Sequence, residues 1–118
     1  MIFVMPTYVY SREELEQARA TALTFYKELI NDLIPAVEGQ FRTYAADLTA
    51  EGIRRSRGHR AFGGFSLGSV AAWEVFARAM DTAKYYLTLC GDCWAYEPFG
   101  GREHPAWAAE YLSRMAKK

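Results

Sequence analysis

Ser66, set in Gly64-Phe65-Ser66-Leu67-Gly68, is the residue whose surroundings point most directly to chemistry. A serine with a glycine two positions away on each side is a weak signal alone, and its context sharpens it. Ala61 to Phe65 reads as a strand that ends at the serine, and Leu67 to Met80 as a helix that begins directly after it. A serine at such a junction is held on a strained turn that lifts its hydroxyl out of the sheet, ready to attack a carbonyl carbon. The chemistry implied is acyl transfer through a covalent intermediate on Ser66. Side chains two residues before and after the serine would collide with the adjoining helix and strand, so Gly64 and Gly68 read as sterically demanded. The Leu67 N–H, at the start of the helix, would donate to the oxyanion of the tetrahedral intermediate and gain from the helix dipole. The competing reading is that Gly63, Gly64 and Gly68 serve close helix-to-strand packing without chemistry.

A serine nucleophile also needs a histidine base oriented by a carboxylate. His59 precedes Ser66 and would begin the strand leading to it, roughly 20 Å from the hydroxyl at about 3.3 Å per residue. It suits the lower edge of the sheet better. His104 is followed by Pro105 and reads as the start of the last helix. Asp92 follows the third expected strand and could face the cleft, although an exposed loop carboxylate is the default there.

Cys90 and Cys93 form the only C-x-x-C. Two ligands are too few for structural zinc, and the two histidines make no second tight pair, so no metal is expected. A thioredoxin-like motif would open a helix, whereas Cys90 closes a strand-like run and Gly91-Asp92 continue as a loop. Cys90 is therefore read as a small buried residue.

The elements that must position these groups fit one domain, or part of one, spanning residues 1–118, because 118 residues with 51% hydrophobic content supply a single core. Lys plus Arg and Asp plus Glu are both 14, which leaves no electrostatic footprint for nucleic acid or an anionic membrane. A neutral small molecule is the better partner. No apolar stretch is long enough to span a bilayer, and Met1 to Tyr10 lacks the features of a signal peptide.

Ile2-Phe3-Val4-Met5 reads as a buried strand stopped by Pro6. Ser11 with Glu14 reads as a capping box opening a long helix whose face is Leu15, Ala18, Ala22, Phe25, Leu29 and Leu33. Pro35 should kink that helix, which is expected to run to about Glu38 and stop at Gly39. Residues 42 to 58 form a surface connection in which Thr49 caps a short turn and arginines 54, 55 and 57 are solvated. Tyr85 to Cys90 is the third strand, and His104 to Lys118 a last helix with Trp107, Ala108, Tyr111, Leu112 and Met115 on its apolar face. Strand and helix alternate, which implies an α/β fold: a three-layer, mostly parallel β-sheet flanked by helices. The strands at 2–5 and 85–90 would carry apolar edges without neighbours, a route to self-association.

The run from Pro6 to Trp94 resembles the feruloyl esterase and enterochelin-esterase branch (esterase D type) of the α/β-hydrolases. The matching pieces are Pro6-Thr7-Tyr8, Leu33-Ile34-Pro35-Ala36-Val37-Glu38, Tyr44-Ala45, Gly52-Ile53 with Ser56-Arg57, His59 through Gly68, Trp73, and Leu89-Cys90-Gly91-Asp92-Cys93-Trp94. The resemblance implies a partial α/β-hydrolase fold and hydrolysis of hydroxycinnamoyl esters on plant xylan through an acyl-enzyme on Ser66. Leu67 would then be an oxyanion donor, Trp94 with Asp92 would line the substrate pocket, and no metal or cofactor would be needed. It also implies an extracellular setting. By the same likeness, strands and an oxyanion loop are expected before Ile2, and the triad acid and histidine after Lys118. Ser69 stands where many relatives have a glycine, at a position read as facing along the helix. Another acyl or enterochelin-type esterase, or a catalytically silent binding fragment, remain the alternatives.

Overall fold

The computed structural model describes residues 1–6 and 15–117. The expected capping box at Ser11 and Glu14 lies outside the described residues. Helix α1 runs Leu15–Glu28 and continues through a wider π-helical turn, Leu29–Leu33, into α2, Ile34–Gln40. A short α3, Ala50–Arg55, leads through a 3-10 turn, Arg57–His59, to strand β1, Ala61–Phe65. Helix α4, Leu67–Ala79, then joins β1 to strand β2, Tyr85–Leu89. A single turn α5, Gly100–Glu103, precedes the last helix α6, Pro105–Ala116.

The π-helical turn has its cause in Pro35. With no N–H, proline cannot donate to a carbonyl four residues back, and the chain widens by one residue rather than breaking. The Ile34 N–H accordingly donates to the Leu29 carbonyl, five residues earlier. The insertion shifts the phase of the buried face. Ala18, Ala22, Phe25 and Leu29 follow steps of three and four, and then Ile34 is buried while Leu33, the expected next member, is only partly so.

β1 and β2 pair in parallel, from Ala61 opposite Tyr85 to Phe65 opposite Leu89, with α4 as the crossover. α4 is the centre of the fold. It packs against α1, both strands and α6, and buries Val70, Ala71, Ala72 and Val75 to 2% exposure or less. Phe62 and Tyr86, on the same face of the sheet, pack on this core, with the Phe62 ring 6.0 Å from that of Phe25. A fully buried large apolar side chain such as Phe25 contributes about 2 kcal/mol, and the half-buried Phe62 and Tyr86 contribute less. A second cluster forms where α6 lays Ala108 and Tyr111 on Ala77 and Cys93, flanked by Trp73, Trp107, Leu112 and Met115, the apolar face expected of it.

Helices cover one face of the two-stranded sheet. On the other face Phe65, Tyr85, Leu87 and Leu89 are 46% to 68% exposed. The α/β class and parallel pairing agree with the sequence reading. The first expected strand does not form: residues 1–6 are irregular and exposed. An apolar run becomes a strand only beside a partner that takes its N–H and carbonyl groups, and β1 and β2, the strands among the described residues, pair with each other.

Thr49 does cap α3, its hydroxyl accepting from the Gly52 N–H at 3.1 Å. Arg54 and Arg55 are solvated, and each meets a surface carboxylate. Arg57 departs from the expectation, since its Nε is buried. The firmest tie in this region is Arg60, whose Nε meets Glu38 at 2.6 Å while Nη1 donates to the carbonyls of Ile53 and Thr82 at 2.7 and 2.9 Å.

Candidate active site

Ser66 occupies the turn between β1 and α4 with φ 55° and ψ −119°. A non-glycine residue in that region is strained by about 1–3 kcal/mol, and the surroundings hold it there. Its N–H donates to the Leu89 carbonyl at 2.9 Å, which carries the β-ladder one residue past the end of β1. Its own carbonyl accepts from the N–H groups of Ser69 at 2.9 Å and Val70 at 3.3 Å, opening the first turn of α4. The residue itself is exposed. It is neither within a regular helix nor sealed in packing.

The glycines divide unequally. A Cβ on Gly64 would lie 2.1 Å from the backbone of Gly68, so no side chain fits there. A Cβ on Gly68 would meet nothing within 4 Å. The collision expected at Gly68 is absent, because the close approach is made by the α-carbon of residue 64 and is already relieved by the missing side chain there. Leu67 is the first residue of α4, and N–H groups in a first turn have no intrahelical acceptor.

Behind the turn lies a support that sequence reasoning missed. Gly91 approaches so closely that a Cβ on it would be 2.6 Å from the Ser66 carbonyl and 2.8 Å from Ser69 Cβ. The Gly91 carbonyl accepts from Ser69 Oγ and from Trp73 Nε1, each at 3.2 Å. Ser69 is therefore not directed along an open helix surface. It is fully buried and ties the start of α4 to the loop after β2. Its replacement of a glycine was the one signal the sequence offered.

Cys90 follows β2 directly, across the ladder from Ser66, and also has φ 55°. It is exposed, contrary to the expectation of a small buried residue, because β2 ends at Leu89 and the chain turns away from the core before the thiol. Cys93 is the buried one, and desolvation pushes its thiol pKa up. Among the described residues no group of three or more His, Cys, Asp and Glu side chains gathers as a metal site.

Asp92 and Trp94 are joined: the indole Nε1 donates to Asp92 Oδ1 at 2.7 Å, and Asp92 Oδ2 accepts from the Arg102 N–H at 2.8 Å. Trp94 is 7% exposed and packs in the core cluster with Phe25, Val70 and Ala71. Phe99 lies edge-on to it at 4.9 Å. The two histidines are engaged elsewhere. His59 stacks on Tyr44 at 3.7 Å, at the start of β1, and His104 Nε2 sits 2.6 Å from Glu97 at the head of α6. A cavity of about 570 Å³ lies at the N-terminal end of β1, between residues 1–6 and the α1–α2 helix, and is remote from Ser66.

An exposed serine strained at the end of a parallel strand, with a helix opening directly behind it, has the strand–turn–helix geometry of a nucleophile elbow in an α/β fold. The chain is 39% identical over 94 residues to endo-1,4-beta-xylanase Y of Acetivibrio thermocellus, a match that covers 80% of this chain and 8% of that protein. It also superposes with a TM-score of 0.74 and 35% identity on a solved serine-to-alanine mutant of the feruloyl esterase module from Clostridium thermocellum complexed with sinapinate. A second solved feruloyl esterase gives a TM-score of 0.74 at 36% identity. Both structural matches cover 82% of this chain and 32% of the other, so the chain spans about a third of the solved relatives. No family model matches. The resemblance to the feruloyl esterase branch of the α/β-hydrolases is borne out.

Proposed function

We propose that this chain carries the nucleophile of a feruloyl-esterase-like serine hydrolase that cleaves hydroxycinnamoyl esters on plant xylan. The observation that supports it most is the strained, exposed Ser66 between β1 and α4, in a chain whose solved relative binds sinapinate, a hydroxycinnamate. On this reading Ser66 Oγ attacks the ester carbonyl, the sugar alcohol leaves with a proton, and water then releases the acid from the acyl-enzyme. The Leu67 N–H stabilises the oxyanion, while Gly64 and Gly68 belong to the elbow that presents the hydroxyl. Trp94, held by Asp92, forms a wall of the acyl pocket. Among the described residues no hydrogen bond joins Ser66 to His59, stacked on Tyr44 before β1, or to His104, paired with Glu97 at the head of α6, so the reading assigns the base and its orienting acid to residues outside this chain.

The exposed face of the sheet fits the same reading as the seat of a third layer, with self-association in its place when that layer is missing. An extracellular setting follows from xylan as the substrate.

A fluorophosphonate probe should label Ser66 in the folded full-length protein, where base and acid are present, with no label after Ser66→Ala. A folded full-length form that takes up no label would refute the assignment. That neither histidine hydrogen-bonds to Ser66 among the described residues favours one second reading, a binding module of the same fold with little turnover. Stoichiometric binding of ferulate with no hydrolysis of methyl ferulate or short acyl esters would select it.

A further inference from the structure

Arg19 lies on α1, far from Ser66 in sequence. Its guanidinium reaches the loop after β2, where Nε donates to the Trp94 carbonyl at 3.0 Å. Nη2 donates to the carbonyls of Ala95 at 3.3 Å and Tyr96 at 3.0 Å. Three consecutive main-chain acceptors, 75 to 77 residues away, are thus held by one side chain. Only a planar fork with several fixed donors can do this, since a lysine ammonium is a point charge on a flexible stem. Among the described residues the carboxylate paired with Arg19, Glu16, is 72% exposed at 3.4 Å, whereas the Arg19 side chain is 21% exposed. The buried part of the guanidinium is committed to the loop.

We propose that Arg19 is a positioning residue for the acyl pocket, acting through Trp94; this rests on Trp94 being a wall of that pocket. The segment 94–96 is irregular, so its carbonyls have no ladder or helix to pair with, and unpaired carbonyls beside a core are costly. Arg19 pairs them and fixes the main chain of Trp94, while Asp92 fixes the far end of its indole. The wall is held from both sides. The Ser66 turn has its own supports in β1, α4 and Gly91, whereas the long-range hydrogen bonds of Arg19 go to residues 94–96. Arg19 therefore governs which acyl groups fit and leaves the reactivity of the serine alone.

Three measurements on the folded full-length protein test this: ferulate affinity by calorimetry, the rate at which a small alkyl fluorophosphonate labels Ser66, and the melting temperature. Arg19→Lys keeps the charge and loses the fork. It should weaken ferulate binding about tenfold and leave the labelling rate within about twofold. Arg19→Gln should behave alike. Ferulate affinity unchanged in both Arg19 variants, with Trp94→Phe or Trp94→Ala weakening it, would overturn the role of Arg19 alone. A parallel fall in affinity, labelling and melting temperature would reduce Arg19 to a structural tie and overturn the proposal. Ferulate affinity untouched by both Trp94 variants, or absent from the unsubstituted full-length protein, would remove the pocket assignment and the Arg19 proposal with it.

Discussion

The Tyr111 hydroxyl of α6 donates to the carboxylate of Glu74 on α4, at 3.1 and 3.4 Å to its two oxygens, deep between the helices. Glu74 is 2% exposed, and its charge is met by Arg78 Nε at 2.8 Å. Burial and the neighbouring carboxylate push Tyr111 up to about 12, and burial pushes Tyr86 up to about 12 as well. Because the unfolded tyrosines ionise near 10, the unfolded state loses protons first as pH rises. The stability these groups contribute is whole below pH 10 and is lost between pH 10 and about 12. Urea midpoints measured from pH 8 to 11.5 should fall above pH 10, and less steeply in Tyr111→Phe. At neutral pH that variant should cost about 1–3 kcal/mol, because it leaves a buried carboxylate oxygen short of a donor.

Arg60 joins α2, α3 with the residue that follows it, and the connection between α4 and β2 through its contacts with Glu38, Ile53, Ser56 and Thr82. Arg60→Leu should destabilise the fold by about 3–5 kcal/mol, since it strands the nearly buried Glu38 carboxylate. The double variant Arg60→Leu with Glu38→Leu should recover part of that loss. Guanidinium denaturation of the four forms checks both statements.

The two elbow glycines should respond in opposite ways. Gly64→Ala forces a methyl into the Gly68 backbone and should cost more than about 3 kcal/mol or prevent folding. Gly68→Ala enters open space in a helix and should be neutral or stabilising by up to about 1 kcal/mol. Thermal unfolding of the pair distinguishes a steric demand at one position from a demand at both.

The thiols should separate by exposure. A disulfide reagent added to native protein should modify Cys90 rapidly, while Cys93 reacts only after unfolding, because burial both covers its sulfur and disfavours the thiolate. Peptide mapping of the modified native chain checks the assignment.

Much of this was legible in the residues. Gly64 to Gly68 announced the turn because its backbone requirement is local, and α6 showed its apolar face through simple helical spacing. The strand at Ile2 to Met5 was misread because a composition records propensity and not the presence of a partner. Leu33 was misplaced by one residue because Pro35 acts backwards, widening a turn that precedes it. Ser69, Gly91 and Arg19 were beyond reach. Their roles rest on contacts with residues 18 to 77 positions away in the chain, and nothing in their own neighbourhoods encodes those contacts.

The bare side of the sheet bears on how the isolated chain behaves in a test tube. Apolar adhesion weakens on cooling and is strengthened by sulfate and phosphate salts. Phe65, Tyr85, Leu87 and Leu89 therefore favour cold, low-salt handling, and warming in ammonium sulfate should cloud the solution well below the concentration that precipitates a fully clothed domain.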